Sequence, residues 1–395
     1  MTLAIDGGTP VRNKMLNYGR QSISEDDIDA VVRVLRGDWL TTGPSVGAFE
    51  RAVADFVGAK EAVAVNSGTA ALHAAAFAAG IGPGDEVIIP AISFVASSNC
   101  VLYMGGTPVF ADVMPGTLNI DPMDVEQKIT SHTKAIVAVD YAGQPCEHSQ
   151  LRAIAEQYKL TVIEDASHAL GSTYQGQRIG TLHELTTLSF HPVKHITTAE
   201  GGMIVTNDAA LAVKMRSFRT HGIDLDFHQR AESNLWLYDV ISLGYNYRLP
   251  DMNCALGISQ LAKLNGWLDR RREIAARYND AFASLPEIEL PVVIPDCGPA
   301  WHLYVIRLNL DRLRVGRAEI FKALRAENIG INVHYIPIPW LTNYRKMGYS
   351  KGHWPVAERE YERILSLPIF PGMSNDDVED VIAAVKKVLT YYCIK

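Results

Sequence analysis

Between about residues 60 and 206 the chain alternates short, largely apolar runs with longer stretches of helical periodicity, an order that few folds accept. The runs are Ala62–Val65, Glu86–Ile89, Pro108–Phe110, Ala135–Val139, Thr161–Glu164, Leu185–Phe190 and Met203–Thr206. Apolar runs of this length read as strands buried on both faces, and strands interleaved with helices give βαβ units around a mainly parallel sheet. The predicted class is α/β, with seven strands in one mainly parallel sheet covered by helices. The last two runs leave no room for a crossover helix, so they are expected to pair as a hairpin at or near an edge. Ligands in such sheets gather beyond the C-terminal ends of the strands.

The flanks follow other patterns. Ser24 reads as an N-cap before acidic residues, with Ile28, Val31, Val32 and Leu35 at helical spacing and a loop from Gly37 to Pro44. Past residue 250 come a long charged helix from Asn253 to Ala283, a Pro-rich passage and an isolated strand from Leu303 to Leu308. The chain then closes with a helix capped by Ser374, with Asp377 three residues on, a capping-box pattern. The expected division is residues 1–252 as an N-terminal arm and large domain, and 253–395 as a smaller α+β domain.

Charge and composition exclude several functions. A net charge of −7 without any run of Lys and Arg argues against nucleic acid as partner. The first residues lack the basic start and apolar stretch of a signal peptide, and no apolar run is long enough to span a bilayer, so a cytoplasmic location without membrane attachment is expected. Five scattered cysteines without C-x-x-C spacing suggest neither a disulfide framework nor a zinc site, and the twelve histidines show no ligand spacing, so no metal is expected. Small molecules and further copies of the chain remain as partners.

The densest group of reactive residues is Ser189-Phe-His-Pro-Val-Lys194-His-Ile-Thr-Thr-Ala-Glu-Gly-Gly202, in which a lysine lies between two strands. Such a lysine is either a solvated loop residue or, if desolvated, a nucleophile toward a carbonyl. The apolar strand Thr161–Glu164 ends at Asp165, with His168 just beyond. Asp165 could be a turn former, or the carboxylate that a pyridoxal cofactor needs against its ring nitrogen. Asn66-Ser67-Gly68-Thr69 opens an Ala-rich helix. Its free amides, hydroxyls and glycine suit a phosphate, although plain N-capping uses the same residues. It lacks a P-loop lysine and is not G-x-G-x-x-G. Phe94 follows Pro90-Ala-Ile-Ser at the start of a predicted helix, as core or as a ring to stack on a flat cofactor.

Taken together, Asn-Ser-Gly-Thr-Ala-Ala-Leu72, Glu-Asp-Ala-Ser-His168, Ser-Phe-His-Pro-Val-Lys194 and Gly-Tyr-Asn-Tyr-Arg-Leu249 resemble the DegT/DnrJ/EryC1/StrS sugar aminotransferases, a branch of the fold-type I pyridoxal-phosphate enzymes. The likeness runs in order over almost the whole chain. It implies that Lys194 carries pyridoxal 5′-phosphate as a Schiff base and, once released by substrate, shuttles a proton between the donor's α-carbon and the cofactor's C4′. It further implies that Asp165 holds the ring-nitrogen proton, that His168 contacts the phenolic oxygen and that Phe94 stacks on the ring. Ser67, Gly68, Thr69 and Ser189 would bind the phosphate. Asn246 would reach the phosphate in a neighbouring subunit, so a homodimer with shared sites is implied.

Within the family the residues are most similar to enzymes of pseudaminic acid synthesis that aminate C4 of a UDP-linked keto sugar. Val333-His-Tyr-Ile-Pro337 and Ser366-Leu-Pro-Ile-Phe-Pro-Gly372 carry that likeness, with the segment around Lys194. It implies a sugar-nucleotide site lined by Tyr18, Asp38, Trp39, Leu40, Thr41, Gly68, Ser189, Asn246, His334 and Tyr335, with L-glutamate as amino donor. For His334 and Tyr335 the alternative is plain strand packing. Pro192-Val193 before the lysine and His195 after it depart from the nearest pattern, which bears on substrate detail alone. Three other readings stand beside this one. A sugar dehydratase of the family would carry histidine at position 194. A non-catalytic cofactor-binding regulator would need an effector segment. Another C4 or C3 aminotransferase would take a dTDP- or GDP-linked sugar.

Overall fold

The computed structural model describes residues 2–225, 230 and 234–394. All seven sequence-predicted strands form, as β1 (Glu61–Val65), β2 (Glu86–Pro90), β3 (Thr107–Ala111), β4 (Thr133–Val139), β5 (Thr161–Asp165), β6 (Leu185–Ser189) and β7 (Gly202–Thr206). They make one seven-stranded sheet in the spatial order β1-β7-β6-β5-β4-β2-β3. β7 runs antiparallel to both β1 and β6, whereas the remaining neighbours are parallel. The expected β6–β7 hairpin is present one strand in from the edge. Every residue from Ala135 to Val139 is buried, as a strand covered on both faces requires.

Helices α1 (Glu25–Leu35), α2 (Pro44–Val57), α3 (Gly68–Ala78) and α4 (Ala96–Tyr103) follow. α1 starts where expected, with a capping box between Ser24 and Asp27. α4 starts two residues past Phe94, which therefore stands in the turn after β2 and is 55% exposed. One face of the sheet packs on α3 and α4 through a core that includes Val63, Val65, Leu72, Ile89 and Val137.

Two sequence expectations need correction. The single helix over 253–283 is two, α5 (Asp251–Leu261) and α6 (Leu264–Phe282). No Gly or Pro marks the break. It lies where Gln260 Nε2 and Lys263 Nζ donate to the Asp27 carboxylate at 2.7 and 2.6 Å, so docking onto α1 rather than local propensity sets the corner. The strand near 303–308 is likewise not isolated: β9 (Tyr304–Leu308) lies between β8 (Ile288–Glu289) and β10 (Ile364–Leu367) in a three-stranded antiparallel sheet. β8 and β10 are too short to carry a periodicity signal. The last helix, α7 (Asn375–Tyr392), has the capping box of Ser374 and Asp377. Its buried face packs with Tyr304, Ile306 and Phe282, and with Leu3 and Leu16 from the N-terminal arm. Among the described residues no helix is long and apolar enough to cross a membrane.

Candidate active site

β1, β4, β5 and β6 all end at one edge of the sheet, and β7, running the other way, begins there. The loops at this edge and residues 332–335 enclose a cavity with an accessible volume of about 490 Å³. Lys194 lines it together with Asp165, His168, Ser67, Gly68, Thr69, Phe94, Ser189, Tyr18, His334 and Tyr335. Residues far apart in sequence are thus gathered by the order of the strands.

The first turn of α3 forms one end. Ser67 caps the helix, its Oγ accepting from the Ala70 N–H at 3.0 Å. The amides of Gly68 and Thr69 belong to the first turn and have no intrahelical acceptor. A Cβ on Gly68 would stand 2.9 Å from the Ser189 Cβ, and one on Gly202 would stand 2.4 Å from the Ser67 carbonyl oxygen. The close approach of α3, β6 and β7 therefore depends on both glycines.

Asp165, at the end of β5, is held on both oxygens. Ser97 Oγ donates to Oδ2 at 2.7 Å, and Ser167 donates to Oδ1 through its Oγ at 2.6 Å and its N–H at 3.2 Å. Lys194 is half-buried, and partial desolvation pulls its ammonium down to about 8 from an ordinary 10.5, with Asp165 opposing the shift. Its amine is therefore partly uncharged near neutral pH, as a nucleophile must be.

His168 is neutral: burial, then Lys194, His334 and His195, hold it well below the usual histidine range. The Ala142 N–H donates to its Nδ1 at 3.3 Å, so in the neutral ring Nε2 carries the proton, and it faces the Tyr335 hydroxyl at 3.2 Å. His334 is set by Ser366 Oγ, 2.8 Å from its Nδ1, while its carbonyl accepts from the Tyr141 hydroxyl. Burial raises the phenol of Tyr335 well above 10.

The cavity of one chain does not include every expected residue. Asp38, Trp39 and Leu40 are exposed and outside it, and the Asp251 N–H bonds the Leu40 carbonyl at 3.0 Å, tying this loop to the start of α5. Thr41 lines a second cavity, with Arg216, Arg219 and Arg248. Asn246 is exposed and lies outside the Lys194 cavity, bridged to Thr220.

Sequence reasoning missed Ser97 and Ser167, the partners of Asp165, and Asn332 and His302 in the wall. Ser167 could have been read from its place two residues after the acid. Ser97 and His302 reach the site only through tertiary packing. A second buried trio was also missed: Asp140, His148 and Glu164 bring ligand-type atoms within 4.8 Å of one another behind β4 and β5. Here His148 Nε2 lies 3.0 Å from Asp140 and 3.2 Å from Glu164, and its Nδ1 lies 2.9 Å from His183.

The DegT/DnrJ/EryC1/StrS aminotransferase family profile matches residues 21–386. The chain belongs to this family. It is 44% identical over 381 residues to the spore coat polysaccharide biosynthesis protein SpsC of Bacillus subtilis, covering 96% of this chain and 98% of that one. Among solved structures it resembles the putative sugar aminotransferase Spr1654 of Streptococcus pneumoniae in its PMP form, with a TM-score of 0.90 and 31% identity over 95% of this chain and 99% of that one. It also resembles Helicobacter pylori PseC, an aminotransferase involved in the biosynthesis of pseudoaminic acid, with a TM-score of 0.89 and 34% identity over 96% of this chain and all of that one. The protein is thus a pyridoxal-phosphate-dependent sugar aminotransferase with a fold-type I architecture. Its cavity fits that cofactor. A half-buried, weakly basic lysine, an anchored carboxylate and a neutral histidine donor share it with a helix N-terminus too close to β6 for any side chain at position 68.

Proposed function

We propose that this protein moves the amino group of L-glutamate to the C4 ketone of a UDP-linked 2-acetamido-2,6-dideoxy sugar. The product would be UDP-4-amino-4,6-dideoxy-N-acetyl-β-L-altrosamine, a precursor of pseudaminic acid. The observation that carries the reading is the meeting of Lys194 and Asp165 in one cavity with the start of α3. The finer substrate rests on the similarity to PseC over 96% of the chain.

Pyridoxal phosphate, when bound, supplies an electron sink for the charge left on a carbon that loses a proton. The roles of the residues follow from their settings. Lys194 binds the cofactor through its amine and then takes and returns the proton at the reacting carbon, which its lowered basicity permits near neutral pH. Asp165, anchored by Ser97 and Ser167, keeps the ring nitrogen protonated. His168 would donate from Nε2 to the phenolic oxygen, and Phe94 would supply the aromatic face for the ring. Ser67, Gly68, Thr69 and Ser189 hold the phosphate at the positive end of α3. Tyr18, His334 and Tyr335 line the substrate end of the same cavity.

The working unit in this reading is a homodimer. Asn246 is exposed and does not line its own chain's Lys194 cavity, and in this reading its side chain reaches a partner's phosphate. Leu235, Trp236, Leu237, Tyr238, Val240, Ile241 and Leu243 are exposed just before it, Trp236 by 85%, an apolar stretch that a second copy would cover. Asp38, Trp39, Leu40 and Thr41 would then complete the sugar-nucleotide site at the subunit boundary. The protein's setting in the cytoplasm remains part of this proposal.

A second reading, amination of another nucleotide sugar, is favoured by the higher identity to SpsC than to PseC. Incubation with glutamate and a panel of UDP-, dTDP- and GDP-linked keto sugars, followed by mass spectrometry, separates the two. Amination of the UDP-linked 4-keto sugar is expected. Reaction with dTDP sugars alone would contradict the pseudaminic assignment.

A further inference from the structure

Every buried histidine but one, among the described residues, has a hydrogen-bond partner. His73 meets Tyr247, His148 meets Asp140 and His183, His168 meets Ala142 and Tyr335, His195 meets the Ala300 carbonyl, and His334 meets Ser366. The ring of His302 meets none, although the residue is only 5% exposed and its Nδ1 is sealed from solvent. A buried polar atom without a partner costs about 1–3 kcal/mol, so native folds carry few that no ligand or water later satisfies.

The ring's place is built rather than incidental. Arg271 Nη1 donates to the carbonyls of Trp301 and His302 at 3.0 and 3.4 Å, and fixes the backbone from one side. On the other side a Cβ at Gly143 would stand 3.0 Å from the Trp301 nitrogen and 3.1 Å from that of His302, so this segment packs on bare backbone. The imidazole lines the Lys194 cavity with its centroid 4.4 Å from that of His168 and 5.5 Å from that of His195. Burial and then Lys194 keep it neutral. A neutral imidazole can donate from one nitrogen and accept at the other.

We infer that His302 is a substrate-contacting residue: its neutral imidazole lines the cavity with no internal hydrogen bond on either nitrogen, and Nε2, the nitrogen that is not sealed, can hydrogen-bond an oxygen of the molecule bound beside Lys194. The inference rests on the proposed amination at Lys194. Two sources could supply that oxygen, a carboxylate of the amino-acid donor or a hydroxyl or carbonyl of the keto sugar, and the two half-reactions tell them apart.

The test compares the holoenzyme with His302→Phe, which keeps a flat ring and removes both nitrogens, and His302→Gln, which restores a donor and an acceptor. The cofactor absorbance change is followed in single turnovers, first with glutamate and then, on the aminated form, with the keto sugar. Thermal midpoints of the cofactor-free proteins are measured alongside. His302→Phe is expected to slow one half-reaction roughly tenfold or more, the loss of one hydrogen bond to substrate, with His302→Gln recovering part of it. The thermal midpoint of His302→Phe should be unchanged or higher, since no internal hydrogen bond is lost. Slowing with glutamate assigns the contact to the donor, and slowing with the sugar assigns it to the acceptor.

Both half-reactions within twofold of wild type in His302→Phe would overturn the inference. So would a lowered midpoint accompanied by slowing that glutamine does not relieve, which marks a packing residue. Failure of the wild type itself to turn over would instead count against the proposed reaction.

Discussion

Ser97 Oγ, on α4, donates a 2.7 Å hydrogen bond to Oδ2 of Asp165 at the end of β5, and Ser97 in turn lies 2.7 Å from Ser93 Oγ. Asp165 is thereby aimed from a neighbouring element and not only by its own strand. Replacing Ser97 with Ala removes a bond to a charged group, worth about 1.5–3 kcal/mol. The expected outcome is a kcat lower by roughly tenfold or more, with the fold retained, measured by steady-state kinetics and circular dichroism. An unchanged kcat would show that Ser167 alone positions the carboxylate.

Gly68 is the second test of geometry. Its Cβ would lie 2.9 Å from the Cβ and 3.0 Å from the Oγ of Ser189, so Gly68→Ala must push β6 away from α3. Weaker cofactor retention on dialysis is expected, by roughly tenfold or more in dissociation constant. Retention equal to wild type would remove this turn from the phosphate site.

Lys194 sets a pH dependence. Its ammonium gives up a proton at about 8, because burial disfavours the charge more than Asp165 favours it. Only the free amine attacks an aldehyde. Capture of pyridoxal phosphate by cofactor-free protein should therefore speed up through about pH 8 and then level off. A rate still climbing toward 10.5, the ordinary value, would mean a solvated amine.

The trio behind β4 and β5 affects stability instead. Burial pushes Glu164 up to about 7, with Asp140 adding to the shift and His148 and Thr186 opposing it. Burial disfavours the charge on His148, but Asp140 and Glu164 outweigh it and raise its basicity. A group that binds its proton more tightly in the fold stabilises at low pH, and this contribution is lost as pH rises through its folded value. For Glu164 the loss runs from about 4.5 to about 7. Glu164→Gln cannot ionise, so its thermal midpoint relative to wild type should climb from pH 5 to pH 7 and stay level above. A difference independent of pH would contradict the assignment.

How much of this was legible in the sequence depended on range. The seven strands could be read because each is a buried apolar run whose signal lies within five or so residues, and the caps at Ser24 and Ser374 are equally local. The break between α5 and α6 could not, since Lys263 and Gln260 turn the chain by reaching Asp27, more than 230 positions away. The same holds at the cavity. Lys194, Asp165, His168 and the Ser67–Thr69 turn stand out as ordered motifs at strand ends. Ser97 and His302 are ordinary residues in ordinary positions until the fold brings them there. Asn246 and the Asp38–Thr41 loop show the opposite case, legible by resemblance yet absent from the cavity of a single chain.

Everything proposed for the cavity depends on Lys194 being the amine that holds the cofactor. Reduction of the holoenzyme with borohydride, proteolysis and peptide mass spectrometry locate the amine that held it. One pyridoxyl adduct is expected, on Lys194, and in Lys194→Ala no adduct and no amination of any keto sugar. An adduct on another lysine, or full turnover by Lys194→Ala, would contradict it.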